Sequence, residues 1–209
     1  MTYTNFIGDG VSVNGAPLIP GGGTIPLAGT YFYVDSVTGS NSNEGSYDSP
    51  FATISYAFSR CTANKGDVIV VRAGHAETLS TAGAITCDKA GIYIIGLGSG
   101  ADRPELTFGT ATQTTVSVLV SAANVTIKNI VGIAGTASGT PLTNPFHVQA
   151  AGCTLDIEWH DGSATVEAAR AILTTAAADN LTVNLKYVGF TAGTGCVNAI
   201  RLVGCNDAR

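Results

Sequence analysis

Charge is the scarcest property of this sequence. Only 12% of its 209 residues are Asp, Glu, Lys or Arg, about half the usual share. The net charge is -5 and the basic residues nowhere cluster. That excludes a phosphate-binding surface, and with it a nucleic-acid partner. No apolar run approaches ~18 residues, so no membrane span is expected. The start, MTYTNFIGDG, lacks a basic stretch followed by an apolar one, so no secretory signal is expected. No CxxC occurs and the three His are far apart, which leaves no zinc site and no metal or cofactor to expect. Five scattered cysteines, Cys61, Cys87, Cys153, Cys196 and Cys205, read as free and mostly buried thiols rather than a disulfide frame. GLGSG (96–100) leads into ADRPEL instead of a helix, so it is no nucleotide loop.

What is abundant points to strands. The chain is 45% hydrophobic, with 26 Gly and recurrent Thr, Ser, Val and Ala, a composition suited to a turn-rich all-β protein. VTIKNI (125–130), CTLDIE (153–158) and LTVNLK (181–186) follow one another at a constant step. VSVLV (116–120), NPFHV (144–148), ILTTA (172–176) and IRLVG (200–204) keep that same step. The linkers SAAN, QAAG and AADN match as well. GIYIIGLG (91–98) precedes the first unit by a slightly longer step. A unit of two or three short strands without helical periodicity predicts a parallel β-helix with rungs of about 28 residues. Residues one rung apart then stack in columns at ~4.8 Å.

Alternation assigns the faces. The predicted interior holds Val116, Val118, Val120, Phe146, Val148, Ile172, Ile200 and Leu202 from one set of strands. From the other it holds Val125, Ile127, Cys153, Leu155, Ile157, Leu181, Val183 and Leu185. Burying one such side chain contributes ~1.5–3 kcal/mol. The first rung needs a cap. In PFATISYAFSRC, Phe51, Ile54, Ala57, Phe58 and Cys61 recur at helical spacing, which predicts a capping helix over 50–62 with Ser49 as its N-cap. DVIVVRAG (67–74) follows as the first strand.

Residues 1–30 stand outside the repeat. They are rich in Gly and Pro, yet carry Phe6, Ile7, Val11, Val13, Leu18, Ile19, Ile25 and Leu27. An extended arm that grips a partner is one reading; an arm folded along its own body is the other. Residues 31–209 form the β-helix. One further step from Leu181 lands on Arg209, so the last rung is expected to need either a subunit contact or further chain.

FYVDSVTGSNSNEGSYDSPFATISYAFSRC followed by GDVIVVRAGHAET resembles the opening module of right-handed parallel β-helix proteins, the superfamily of pectate lyases, phage tailspikes and other phage virion proteins. Asp35, the turn-rich GSNSNEG, Pro50-Phe51-Ala52-Thr53-Ile54 and Gly66-Asp67 carry the likeness, which covers residues 31–135. It implies the fold. With GHAET and GIYIIGLGSGADRPELTFGT it also implies a phage structural protein encoded near capsid genes. The expectation is a non-enzymatic virion protein assembled in host cytoplasm. It would decorate or cement a capsid, or form a head spike, and would use its arm to hold the major capsid protein. The alternatives are a tail fibre or tailspike that contacts the host, and a polysaccharide lyase or glycosidase.

Enzymes of this superfamily use clustered outward carboxylates. DIEWHD offers Asp156, Glu158, His160 and Asp161. The columns place Asp156 between Lys128 and Asn184, Glu158 between Ile130 and Lys186, and His160 between Gly132 and Val188. The carboxylates therefore read as exposed cross-rung pairs worth ~0–1 kcal/mol each, rather than as catalysts. His75 and Glu77 alternate in phase and read as a surface turn contact, with a shared metal or proton as the alternative. Asp35, Asn41, Asn43, Glu44 and Asp48 read as Asx turns, with a calcium loop as the alternative. Trp159 is expected to close an interior corner rather than to stack on a glycan. No residue is assigned a catalytic role.

One further surface follows from the alternation. Leu119, Ala171, Leu173, Ala177, Ala199 and Val203 fall on the outer parity of the first strand set, where Arg201 is the one charge in the last two rungs. A small-residue apolar face on a polar prism predicts a subunit contact. Homotrimers are implied by the resemblance.

Overall fold

The structure is a computed structural model. It describes residues 29–109, 117–135, 142–162, 168–189, 199–206 and 208–209, and the backbone alone of 4–7, 10–13 and 16–17. Three short strands, β1 (Thr4–Ile7), β2 (Gly10–Val13) and β3 (Ala16–Pro17), form an antiparallel sheet of their own. Then come β4 (Tyr31–Val34), helix α1 (Ile54–Arg60), β5 (Val68–Val71), β6 (Ala76–Leu79), β7 (Ile85–Cys87) and β8 (Tyr93–Gly96). The rest of the body is β9 (Glu105–Phe108), β10 (Val118–Val120), β11 (Thr126–Ala134), β12 (Phe146–Val148), β13 (Thr154–His160), β14 (Ile172–Thr174), β15 (Thr182–Val188) and β16 (Ile200–Arg201).

All strand pairs of the body are parallel. One sheet runs β4-β5-β8-β11-β13-β15 and another β7-β10-β12-β14-β16. Thr126, Thr154 and Thr182 share a column, as do Val118, Phe146, Ile172 and Ile200 through their successive pairings. The chain is a parallel β-helix protein with rungs of about 28 residues. The longer first step is also present, since Thr126 pairs with Tyr93.

The core is a single column. Val118, Val120, Phe146, Val148, Ile172, Val125, Ile127, Cys153, Leu155, Ile157 and Leu181 are buried in it, as alternation requires. Val183, Leu185 and Ile200 of the last rung are half-buried, and Leu202 is 52% exposed although the pattern placed it inside. Strand β16 has only two residues, so Leu202 lies past the end of the ladder that would turn it inward. Val116 lies outside the described residues.

The capping helix is shorter than the sequence predicts, and its start explains why. Phe51 N–H donates to the Tyr33 carbonyl and Phe51 O accepts from Asp35 N–H, so this residue bridges to β4. Helical turns begin only after Thr53, whose hydroxyl accepts from Tyr56 N–H and forms the N-cap in place of Ser49. Ile54, Ala57 and Phe58 bury the inner face, and Cys61 is the C-cap. The strand predicted over 67–74 is likewise trimmed, to Val68–Val71, because Arg72 enters a turn closed by His75 N–H on its carbonyl, and it is not the first strand, since β4 precedes it and pairs with it.

Candidate functional site

The longest sheet has one irregularity, and it shapes the polar outer face. Asn129 adopts φ 57, and the register between β11 and β13 shifts between Lys128 and Ile130, which is a bulge. Asn129 supports the conformation by donating its amide N–H groups to Gly96 O (2.9 Å) and Gly98 O (3.0 Å). Beyond the bulge every column moves by one. Glu158 pairs with Val131 instead of Ile130, and His160 with Ile133 instead of Gly132. Before it, Lys128 faces Asp156 as the repeat step requires. The bulge also lets the second half of β11 pair with β9 while its first half pairs with β8.

Glu158 is the centre of this face. The alternation rule makes it an exposed partner of Lys186, yet it is 6% exposed. Lys186 Nζ lies 3.1 Å from its Oε2, Arg103 Nη2 lies 2.8 Å from the same oxygen, and His160 Nε2 lies 2.6 Å from Oε1. Arg103 comes from the turn after β8, where its Nε donates to Gly100 O. The repeat columns do not reach that turn, so they give no sign of this partner. Burial alone would raise the Glu158 pKa. The hydrogen bonds from His160, Lys186 and Arg103 overcome that and hold it at about 2.

The neighbouring carboxylates are also engaged. Asp156 accepts from Asn184 Nδ2 at 2.9 Å. Asp161, nearly fully buried, accepts from Trp159 Nε1 at 3.4 Å and from the Tyr187 hydroxyl. Trp159 is wholly buried against Phe108 and Phe146, so it closes the interior corner and offers no ring to a sugar.

The other two candidate groups are also engaged, and His75 is buried rather than at the surface. His75 Nε2 lies 3.3 Å from Glu77 Oε2, which also accepts the Ile54 N–H at the start of α1. Asp35 accepts from Val37 N–H, the Thr38 hydroxyl and Arg72. Asn41 Oδ1 takes the N–H groups of Ala52 and Thr53, and Asn43 Nδ2 donates to Pro50 O. The loop is an Asx-turn scaffold that fixes the capping helix.

Four described cysteines are free: Cys205 is half-buried, and Cys61, Cys87 and Cys153 are buried. Burial pushes the Cys61 thiol up to about 12 and raises the other two, which makes them inert. Cys196 lies outside the described residues.

Of the proposed contact face, Leu119 and Leu173 are half-buried, Ala177 is exposed, Ala199 is half-buried and Val203 is 41% exposed. Ala171 does not belong to it, because it is fully buried in the core. Its N–H and that of Ile172 both donate to Ala199 O. Two successive amides of a flat strand cannot share one carbonyl, so alternation breaks before β14 and Ala171 turns inward. The columns also place His147 between Leu119 and Leu173. Leu18, Ile19, Ile25 and Leu27 of the arm lie outside the described residues, as do the side chains of Phe6, Ile7, Val11 and Val13.

No family model and no curated protein matches this chain. Among solved structures it is similar to a rhamnogalacturonan lyase, with TM-score 0.47 and 17% identity over 85% of this chain and 51% of that one. It is also similar to the GH136 lacto-N-biosidase from Eubacterium ramulus, with TM-score 0.47 and 12% identity over 84% of this chain and 41% of that one. The chain thus spans about half the length of these enzymes or less. The likenesses concern backbone course and assign no activity to this chain.

Proposed function

We propose that this protein is a non-enzymatic structural component of a bacteriophage virion, a capsid decoration, cement or head-spike protein. In this reading the parallel β-helix is a stiff body and the segment before Tyr31 attaches it to the major capsid protein. The observation that carries the non-enzymatic part is the engagement of the DIEWHD carboxylates: Asp156 with Asn184, Asp161 with Trp159 and Tyr187, and above all Glu158 with Arg103, Lys186 and His160. A general acid needs a raised pKa, whereas the Glu158 carboxylate is held at about 2 by three cationic or hydrogen-bonding partners. Its oxygens serve the ladder between rungs. The phage part rests on the resemblance of residues 31–135 to the opening module of phage β-helix proteins. The separate β1–β3 sheet supports an attachment role for the arm, because it shares no ladder with the body among the described residues.

Deleting residues 1–29 tests this reading. The truncated protein should remain folded and fail to bind capsids in a sedimentation assay with purified particles. Normal occupancy on the shell would reject attachment through the arm. Density only at the tail in micrographs would move the protein to a fibre or tailspike.

A second reading, a polysaccharide lyase or glycosidase, is favoured by one feature. His160 is oriented by Glu158 at 2.6 Å, an arrangement that bases also use. Release of reducing ends or unsaturated sugars from host polysaccharide, lost in His160→Ala, would establish it.

A further inference from the structure

The outer face at the first end of the helix is unlike the rest. Val68 and Val70 point away from the core column, as the opposite parity to Ile69 and Val71, yet both are fully buried. Ile95 is 4% exposed beside them, and Tyr33, Tyr93 and Leu97 pack against the group half-buried. The columns are Tyr31–Val68–Tyr93 and Tyr33–Val70–Ile95. No charged side chain enters these rows until Lys128, which follows Ile95. Further along the same sheet, the corresponding positions are Thr, Lys, Asp and Asn.

The β1–β3 sheet has a matching deficiency. Its register sets Phe6 opposite Val11 and Val13 opposite Ala16, so Phe6, Val11, Val13 and Ala16 share one face. Asn5, Ile7, Ser12 and Pro17 share the other, which is the more polar of the two. Asp9 is the sole charged side chain among residues 1–28. Strands of four, four and two residues need an apolar surface to rest on. The linker from Pro17 to Gly29 reaches at most about 40 Å, ample for a sheet to stack about 10 Å above its neighbour. The chain re-enters the body at Thr30, whose N–H donates to Asp67 Oδ1, beside Val68.

We propose that the β1–β3 sheet docks by its Phe6–Val11–Val13 face onto the outer face of β4, β5 and β8 of the same chain, over Tyr33, Val70 and Tyr93. Both faces are apolar, charge enters the body face only at its border in the Asp35–Arg72 ion pair beside Tyr33, and the covalent link joins the two at one edge. This does not depend on the virion reading. If both hold, the attachment segment is presented rigidly at the side of the body instead of on a loose tether.

The test is tyrosine nitration with tetranitromethane on the full-length protein, read peptide by peptide by mass spectrometry. The Phe6→Asp/Val11→Asp double variant should speed modification of Tyr33 and Tyr93 at least about fivefold. Asn5→Asp/Ser12→Asp, on the opposite face, should leave it unchanged. Hydrogen exchange gives an independent reading: Tyr33→Ser should make the amides of residues 4–13 exchange faster. Equal nitration in both double variants together with unchanged exchange overturns the proposal. Protection that disappears on dilution also overturns it and assigns the face to a second copy. Capsid binding is not part of either readout, so failure here is distinct from failure of the virion reading.

Discussion

Arg103 Nη2 lies 2.8 Å from Glu158 Oε2, which makes the turn after β8 a partner of a strand two rungs on. The folded pKa of Glu158, about 2, is below that of a free glutamate, about 4.3. Its ionised form therefore stabilises the fold above pH ~4.3, and that contribution is lost as pH falls through about 2. Glu158→Gln should cost roughly 1–3 kcal/mol at pH 7. The melting temperature should fall by about 2–4 °C per kcal/mol. Near pH 2 the two proteins should melt together. A melting difference that stays constant from pH 7 to pH 2 would remove charge as its source.

Asn129 supplies both the left-handed backbone and two hydrogen bonds at the bulge. Asn129→Ala keeps neither and should destabilise by about 2–4 kcal/mol, from roughly 1–2 kcal/mol of backbone strain plus the lost bonds. Asn129→Gly keeps the backbone and should cost about 1 kcal/mol less. Urea unfolding of the pair measures the difference. Equal stability of the two variants would mean that φ 57 imposes no strain here.

Gly132 sits under the corner residue. A Cβ there would approach Trp159 Cε3 to 2.7 Å and Phe146 Cε2 to 3.2 Å. Both rings are wholly buried, so neither can yield cheaply. Gly132→Ala should cost about 1–3 kcal/mol by overpacking. Trp159 is the single tryptophan, so its emission should shift in the native state. An unshifted spectrum with unchanged stability would show that the corner has room.

The fold was legible because the repeat is strict wherever the ladder is regular. The constant rung step, the longer first step, the core parity and the pairs Lys128–Asp156 and Glu158–Lys186 all read directly from sequence. What was not legible depends on single backbone events that leave no periodic trace. The bulge at Asn129 displaced Glu158 and His160 by one column, and a shared carbonyl at Ala199 turned Ala171 inward. Phe51 bridging to β4 delayed the helix to Thr53. The burial of Glu158 was missed because Arg103 belongs to a turn outside the repeat. Asn129 is an asparagine in a Val/Ile-rich strand, and that was the one available signal, since asparagine tolerates positive φ.

The remaining prediction concerns assembly. With Ala171 removed from it, the face retains Leu119, Leu173, Ala177, Ala199 and Val203. His147 lies between the two leucines, and Arg201 follows Leu173 in the column. Burial lowers the pKa of His147, so the row from Leu119 to Leu173 is uncharged at neutral pH. That is what a subunit contact requires, since interface cores are depleted in charge. Three copies meeting along this face would form the homotrimer that the resemblance implies. Leu173→Asp with Val203→Asp places two carboxylates per chain there without touching the core column, and should convert a trimer to a folded monomer in light scattering. Acidification should also weaken the parent trimer, because protonating His147 would add a second charge to the column that already holds Arg201. A parent protein that is monomeric at micromolar concentration, or a double variant that keeps the trimer mass, would assign assembly to another surface.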